Sequence, residues 1–274
     1  MDFITDILQY SYLSNALIAA ILCGIVGGIV GTYIVARRMV FLCGGITHSS
    51  FGGLGIALYA GLNPIGGALA FAIASALGIE WATERGKIRE DSAIGIIWSV
   101  GMAIGALFMS LTPGYTSGDM ASYLFGNILM VTQVDVMLLI TLAMLCIIGH
   151  CIWWRQVMYM AFDRTFAASQ GINTRLVGYL LSIVVATTIV LAIRTMGIVL
   201  LLSIFTIPTV AASSLTKSYR RLTLYSTIIA VAGAVAGLVA SYYWEIPSGT
   251  SIIFTLILML IALKTLSLRR KSRP

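Results

Sequence analysis

Nine stretches of the chain are almost wholly apolar: 13–35, 43–60, 65–82, 94–111, 134–154, 177–193, 197–215, 222–243 and 250–268. Each approaches the roughly 20 residues that a helix needs to cross a hydrocarbon core. None alternates polar and apolar positions at period two, which excludes a transmembrane barrel, and the helix is then the only backbone that satisfies itself in lipid. The pattern predicts an all-α fold, a polytopic transmembrane bundle of eight to nine helices. The second run is rich in glycine and the seventh carries Pro208, so these two are the least typical spans. The polar segments between runs are short, and residues 1–274 read as a single membrane domain.

Loop chemistry marks several boundaries. Asn63-Pro64 reads as an N-cap followed by proline in the first turn. Pro247-Ser248-Gly249-Thr250 reads as a turn opening the last helix. Pro208 removes a backbone donor and should kink its helix, freeing the Ile204 carbonyl, with Thr206 and Thr209 near enough to help satisfy the break.

Composition agrees with lipid as the solvent. Of the 274 residues 59% are hydrophobic and only 10% charged, with mean hydropathy +0.99, against about a quarter charged in soluble domains. The net charge of +7 does not point to nucleic acid, because the charges sit in short clusters between apolar runs. The partners it implies are membrane lipids. Cys23, Cys43, Cys146 and Cys151 all lie in apolar runs and offer no disulfide framework. No Lys or Arg precedes the first run, so it reads as a retained span and not a signal peptide.

The basic residues set the orientation. With the N-terminus outside and nine passages, 15 of the 17 Lys and Arg residues fall on the inner face. This predicts an inner-membrane protein with its N-terminus outside and its C-terminus in the cytoplasm. Lys264 can snorkel inward from the last helix, and Arg194 alone falls outside. The outer face receives an acidic rim, Asp2, Asp6, Asp119, Asp135 and Glu245, of which Asp119, Asp135 and Glu245 are candidates for gathering cations at a pathway mouth.

Two connecting stretches carry pattern of their own. Outer residues 115–133, with Tyr123 and Phe125, read as an interfacial helix or an ordered loop. Inner residues 160–175 place Phe162, Phe166 and Ala167 at helical spacing, with Asp163 to start a short helix and Gly171 to end it. That helix either lies on the membrane surface or docks a soluble partner.

In the second run Gly44, His48, Gly52 and Gly55 share one helical face. One reading is a groove with a single imidazole projecting into a metal pathway. The other is a packing seam, since small residues let helices approach closely. Thr47 and Ser49 are candidate partners for the imidazole. His150 shares a face with Cys146, but Trp153, Trp154 and Arg155 follow at once and place it near the inner interface.

Several motifs then converge. Gly44 through Gly53, Asp91-Ser92-Ala93-Ile94-Gly95-Ile96, Tyr123 through Leu129, Phe162 through Gly171, Gly197 through Pro208 and Pro247-Ser248-Gly249 resemble, in order and spacing, the zinc/manganese/iron ABC permease family, often called ABC-3. The resemblance implies a type II-like importer permease that carries a divalent transition metal inward, zinc foremost, or manganese or iron. The metal is cargo, with no permanently bound cofactor. It also implies a homodimer, cytoplasmic ATPase subunits docked through the 162–171 helix, and an extracytoplasmic metal-binding protein. The family often has an aspartate four residues before the histidine; here that residue is Gly44, and the carboxylate–imidazole pair is absent.

The chain has no Gly-rich loop ending in Lys-Ser or Lys-Thr, so ATP hydrolysis belongs to another subunit. An intramembrane enzyme would need a catalytic constellation, and His48 and His150 are the only histidines. An ion-driven carrier would need buried carboxylates, whereas every carboxylate here lies near the end of a run. A permease for a larger metal chelate is the remaining alternative; a wide channel, with Gly44 in place of a carboxylate, would suit it.

Overall fold

The computed structural model describes residues 3–113 and 127–271. Among them the chain forms eleven α-helices and one 3-10 turn. A short α1 (Phe3–Gln9) precedes α2 (Ser11–Ala36), α3 (Val40–Tyr59), α4 (Pro64–Glu84) and α5 (Glu90–Leu111). The turn Ile128–Met130 leads into α6 (Gln133–Phe162), α7 (Arg164–Ser169), α8 (Thr174–Met196), α9 (Ile198–Ser213), α10 (Tyr219–Trp244) and α11 (Ser248–Lys271). All nine apolar runs are helices. Eight are long and apolar enough to cross a membrane, and α9, with 16 residues, is shorter.

The caps follow from local sequence. The Asn63 side chain accepts the amides of Ile65 and Gly66 at 3.0 and 3.1 Å, with Pro64 in the first turn of α4. Thr132 and Asp135 form a reciprocal capping box at the start of α6. Gly197, at φ 77°, separates α8 from α9 in a conformation that a side chain would strain. Trp153 departs from helical geometry inside α6 (φ −111°, ψ 20°). This kink falls where the apolar run ends, and the helix goes on to Phe162.

Close contacts at glycines fix the directions of the helices. Gly24 and Gly28 of α2 meet Val231 and Thr227 of α10, so these two run antiparallel. Gly27 and Gly31 meet Ile204 and Phe205 of α9, which therefore runs the same way as α2. It starts at a cleft shared with Glu245 and Ser248, and ends where Ser267 donates to the Ser214 carbonyl. At 1.5 Å per residue α9 is about 24 Å long. It lies among longer helices inside the bundle.

Two expectations need correction. Phe162 belongs to the end of α6 and not to the inner helix, α7, which runs Arg164–Ser169 between the Asp163 cap and the turn at Gly171. The hydroxyls beside Pro208 do not reach the Ile204 carbonyl. Thr206 donates to Leu202 at 2.7 Å, and Thr209 to Phe205 at 3.3 Å while pairing with Ser226 of α10 at 2.8 Å. A helical hydroxyl reaches back four residues along its own helix, which places these two on other carbonyls. Residues 115–125, including Tyr123 and Phe125, lie outside the described residues.

The helix directions put the α3–α4 turn and the α10–α11 turn at one end of the bundle and the α9–α10 connection at the other. In a cysteine-free background, a cysteine replacing Leu62 is expected to react with an impermeant maleimide in intact cells, as is one replacing Thr250. A cysteine replacing Ser218 is expected to react only after permeabilisation. Labelling of the Ser218 position in intact cells would reverse the orientation.

Candidate functional site

The helix that carries His48 is built to be approached. Five of the 20 residues of α3 are glycine, each costing about 1 kcal/mol of helix propensity against alanine. The gain is close contact. A β-carbon added at Gly52 would lie 3.0 Å from the Gly101 carbonyl oxygen of α5, and one at Gly55 would lie 2.7 Å from that of Gly105. On the side toward α4, a β-carbon at Gly67 would lie 2.5 Å from the Gly53 carbonyl oxygen. α3 is thus held backbone to backbone between α4 and α5. The open groove expected along Gly44, Gly52 and Gly55 is filled by α5 within a single chain, because the missing side chains let that helix close in.

His48 is half-buried at the edge of this seam. Its ring stacks on Trp98 of α5 with centroids 4.4 Å apart and planes 6° from parallel, and Phe51 lies at 6.4 Å. Gly44 faces the indole, and a β-carbon there would meet Trp98 at 3.5 Å, an ordinary contact. The imidazole Nδ1 is buried without a protein partner, and so is the neighbouring Thr47 hydroxyl. Neither expected partner serves His48, since Ser49 donates to the Ile46 carbonyl at 3.0 Å. Two adjacent polar atoms in an apolar helix retain unused bonding capacity, which is uncommon in a folded interior. His150 stands apart, on α6, with its ring 6.4 Å from that of Tyr219. Among the described residues no group of three His, Cys, Asp or Glu side chains is placed to enclose a metal.

The outer carboxylates divide. Asp119 lies outside the described residues. Asp135 is not a free rim carboxylate: it is 5% exposed, 2.9 Å from the Arg194 Nε, and accepts the Thr132 amide and hydroxyl at 3.0 and 2.7 Å. Burial and neutralisation follow from its position inside the first turn of α6, facing the end of α8. Arg194, the one basic residue outside the inner cluster, is thereby explained. Glu245 is exposed, sits in the left-handed conformation at φ 54°, and lines an outer cleft of about 780 Å³ with Tyr12, Ser241 and Tyr242. Tyr242 donates to Asp6 beside it.

At the inner end Asp163 caps α7, accepting the Thr165 and Phe166 amides at 2.8 and 3.1 Å and the Thr165 hydroxyl at 2.6 Å. The Thr165 hydroxyl, then the Phe166 and Thr165 amides, hold its carboxyl below the usual range. Gly171, at φ 77°, turns the chain after α7. Phe162 and Phe166 remain 65% and 46% exposed, each meeting one tyrosine ring edge-on, Tyr219 and Tyr159 respectively.

Sequence reasoning missed a second buried carboxylate. Glu80 of α4 is 5% exposed and receives the Arg164 guanidinium of α7. Buried carboxylates are therefore present, but each is matched by an arginine from a distant part of the chain. The signal available in the sequence was Arg194, the one departure from the charge pattern; nothing comparable marked Glu80 or Trp98.

The sequence profile of the ABC 3 transport family matches residues 9–266. The manganese transport system membrane protein MntC of Listeria innocua is 32% identical over 253 residues, covering 92% of this chain and 90% of that protein. The manganese import system permease protein ScaB of Streptococcus gordonii is 30% identical over 275 residues, covering 98% of each. Among solved structures, PsaBC from Streptococcus pneumoniae in complex with Fab superposes with a TM-score of 0.83 at 27% identity, covering 98% of this chain and 99% of that one.

The two outer carboxylates are expected to behave differently on removal. Breaking one side of a buried ion pair costs about 3–5 kcal/mol, so D135A should lower the unfolding midpoint of the detergent-solubilised protein clearly. E245A, at an exposed position, should stay within about 0.5 kcal/mol of the parent. Equal midpoints for the two variants would contradict a structural role for the Asp135–Arg194 pair.

Proposed function

The chain belongs to the ABC 3 transport family, and from that premise we propose that it conducts manganese as the membrane permease subunit of a divalent-metal importer. It is a transporter subunit and not an enzyme; ATP is hydrolysed by a separate subunit. The observation that carries manganese ahead of zinc is full-length similarity to two relatives whose names specify manganese. Iron and zinc are the competing cargoes to be measured against it.

In this reading two copies of the chain assemble around a central path. His48 offers the ion one imidazole, and water completes the coordination. A conduit must release what it binds, so a sparse ligand set suits it better than a closed four-ligand cage. The seam of Gly52 and Gly55 against α5 holds the imidazole in place, and Trp98 sets its plane. The same seam weighs against a wide channel for a metal chelate, because the small residues that suggested one are occupied by α5.

An extracytoplasmic binding protein would deliver the ion to the outer end, where Glu245 and the cleft beside it lie. The inner end, which carries the basic clusters, would face the cytoplasm. There α7 presents Phe162 and Phe166 as exposed aromatic anchors for the ATPase, the residue type that most often carries interface energy. The Asp163 cap keeps so short a helix formed without its partner.

Two experiments test the two ends. H48A and H48Q are expected to assemble with the ATPase and to lower manganese uptake about tenfold or more, as loss of a positioned ligand does. Normal uptake by H48A would make His48 a packing residue only. Replacing Phe162 and Phe166 together by alanine is expected to weaken ATPase binding by about 2 kcal/mol or more, measured as affinity between the detergent-purified permease and the ATPase. Unchanged affinity would leave α7 as a membrane-surface helix.

A further inference from the structure

Glu80, Arg164 and Gly178 come from α4, α7 and α8 and meet at one buried point near the inner end. The Arg164 Nη2 donates to Glu80 Oε1, and the Ser182 hydroxyl lies 3.5 Å from Oε2. Glu80 is 5% exposed and the Arg164 side chain 30%. Gly178 stands directly over the pair: a β-carbon there would come within 2.6 Å of both Arg164 Nη2 and Glu80 Oε1. The Arg164 Nε is buried with no partner of its own, so the guanidinium depends on Glu80 for its fixation. The cap on α7 is supplied separately by Asp163, which means that the ion pair is not needed to form the helix.

A buried ion pair is a poor way to hold a short helix in place. Desolvation of both charges cancels much of the attraction, and apolar packing would serve as well. What the pair adds is a single directional contact between α7 and α4. From Glu80 the path runs thirteen residues along α4, about 20 Å, to Gly67. Gly67 of α4 lies against Gly53 of α3, backbone to backbone, five residues beyond His48. The second pair between α4 and α8, Arg175 with Glu84 at 3.0 Å, has an exposed guanidinium and is a weaker tie.

We propose that the Glu80–Arg164 pair, seated under Gly178, is the link through which movement of α7 reaches α4 and, across the Gly67–Gly53 contact, the α3 helix that positions His48. Glu80 and Arg164 are then positioning residues for transport. The inference rests on the reading of α7 as the ATPase-docking helix.

The test uses the full complex with its ATPase in proteoliposomes. E80Q removes the charge and keeps the shape. G178A drives a methyl group between the partners and changes neither of them. Both variants are expected to bind the ATPase with unchanged affinity and to retain basal ATP hydrolysis. Manganese taken up per ATP should fall about tenfold, within the range of coupling factors between linked sites. A second readout separates coupling from simple stabilisation. Thiol reactivity of H48C should change on ATP addition in the otherwise unaltered complex and stop changing when E80Q or G178A is added.

Folded variants with uptake per ATP unchanged and the ATP-dependent reactivity preserved would overturn the proposal. So would loss of the assembled complex in both variants, which would make the pair a determinant of folding. Failure of the docking premise shows elsewhere, as normal ATPase affinity after replacement of Phe162 and Phe166.

Discussion

In lipid, two helices gain nothing by hiding apolar side chains from each other, so association rests on how closely their backbones fit. α3 meets this condition by placing glycines where its backbone touches those of its neighbours. Gly52 and Gly55 lie on the carbonyls of Gly101 and Gly105 in α5, and Gly53 on Gly67 of α4. The same device recurs at the other side of the bundle, where Gly24, Gly28 and Gly31 of α2 receive α10 and α9. A β-carbon at these contacts would push backbone against backbone, and overpacking of that kind costs about 1–3 kcal/mol where the neighbour cannot yield. The five glycines that weaken α3 as an isolated helix are what make it the best-enclosed partner of α4 and α5. The placement of His48 follows from that enclosure.

Charge is handled by a comparable rule. Among the described residues, the buried carboxylates stand where an arginine from elsewhere in the sequence reaches them. Asp135 meets Arg194 at one end of the bundle, and Glu80 meets Arg164 at the other. Arg37 approaches Glu90 at 3.8 Å and donates to the Tyr33 hydroxyl at 3.0 Å, which adds a third tie at the inner level. The Glu80 and Asp135 pairs each join helices far apart in sequence, so they fix the ends of helices whose middles are held by packing alone. The bias of basic residues toward one end and its one exception thus have separate causes: the bias is topological, and Arg194 is structural.

Much of this was legible in the chain. The nine apolar runs, the Asn63-Pro64 cap, the Asp163 cap and the turn at Gly171 are local, and local chemistry determines them. The end of α6 was not legible, because the helix outlasts its apolar run by eight residues after kinking at Trp153. Long-range partners were hidden for a different reason. Trp98 stacks on His48 from 50 residues away, and Glu80 reaches Arg164 across 84, spacings that no periodicity encodes. The glycine face of α3 was visible, but whether it lined a groove or a seam depended on which helix lay opposite.

A helix held on glycines, with one imidazole at its edge and an ion pair tying its neighbour to the inner end, is the arrangement that the account assigns to metal passage. ATP-driven uptake of radioactive manganese into proteoliposomes holding the permease, its ATPase and the binding protein tests it most directly. Saturable uptake is expected that requires ATP and that excess unlabelled manganese suppresses more strongly than zinc. Uptake of zinc alone, or manganese movement that proceeds at the same rate without ATP, would contradict it.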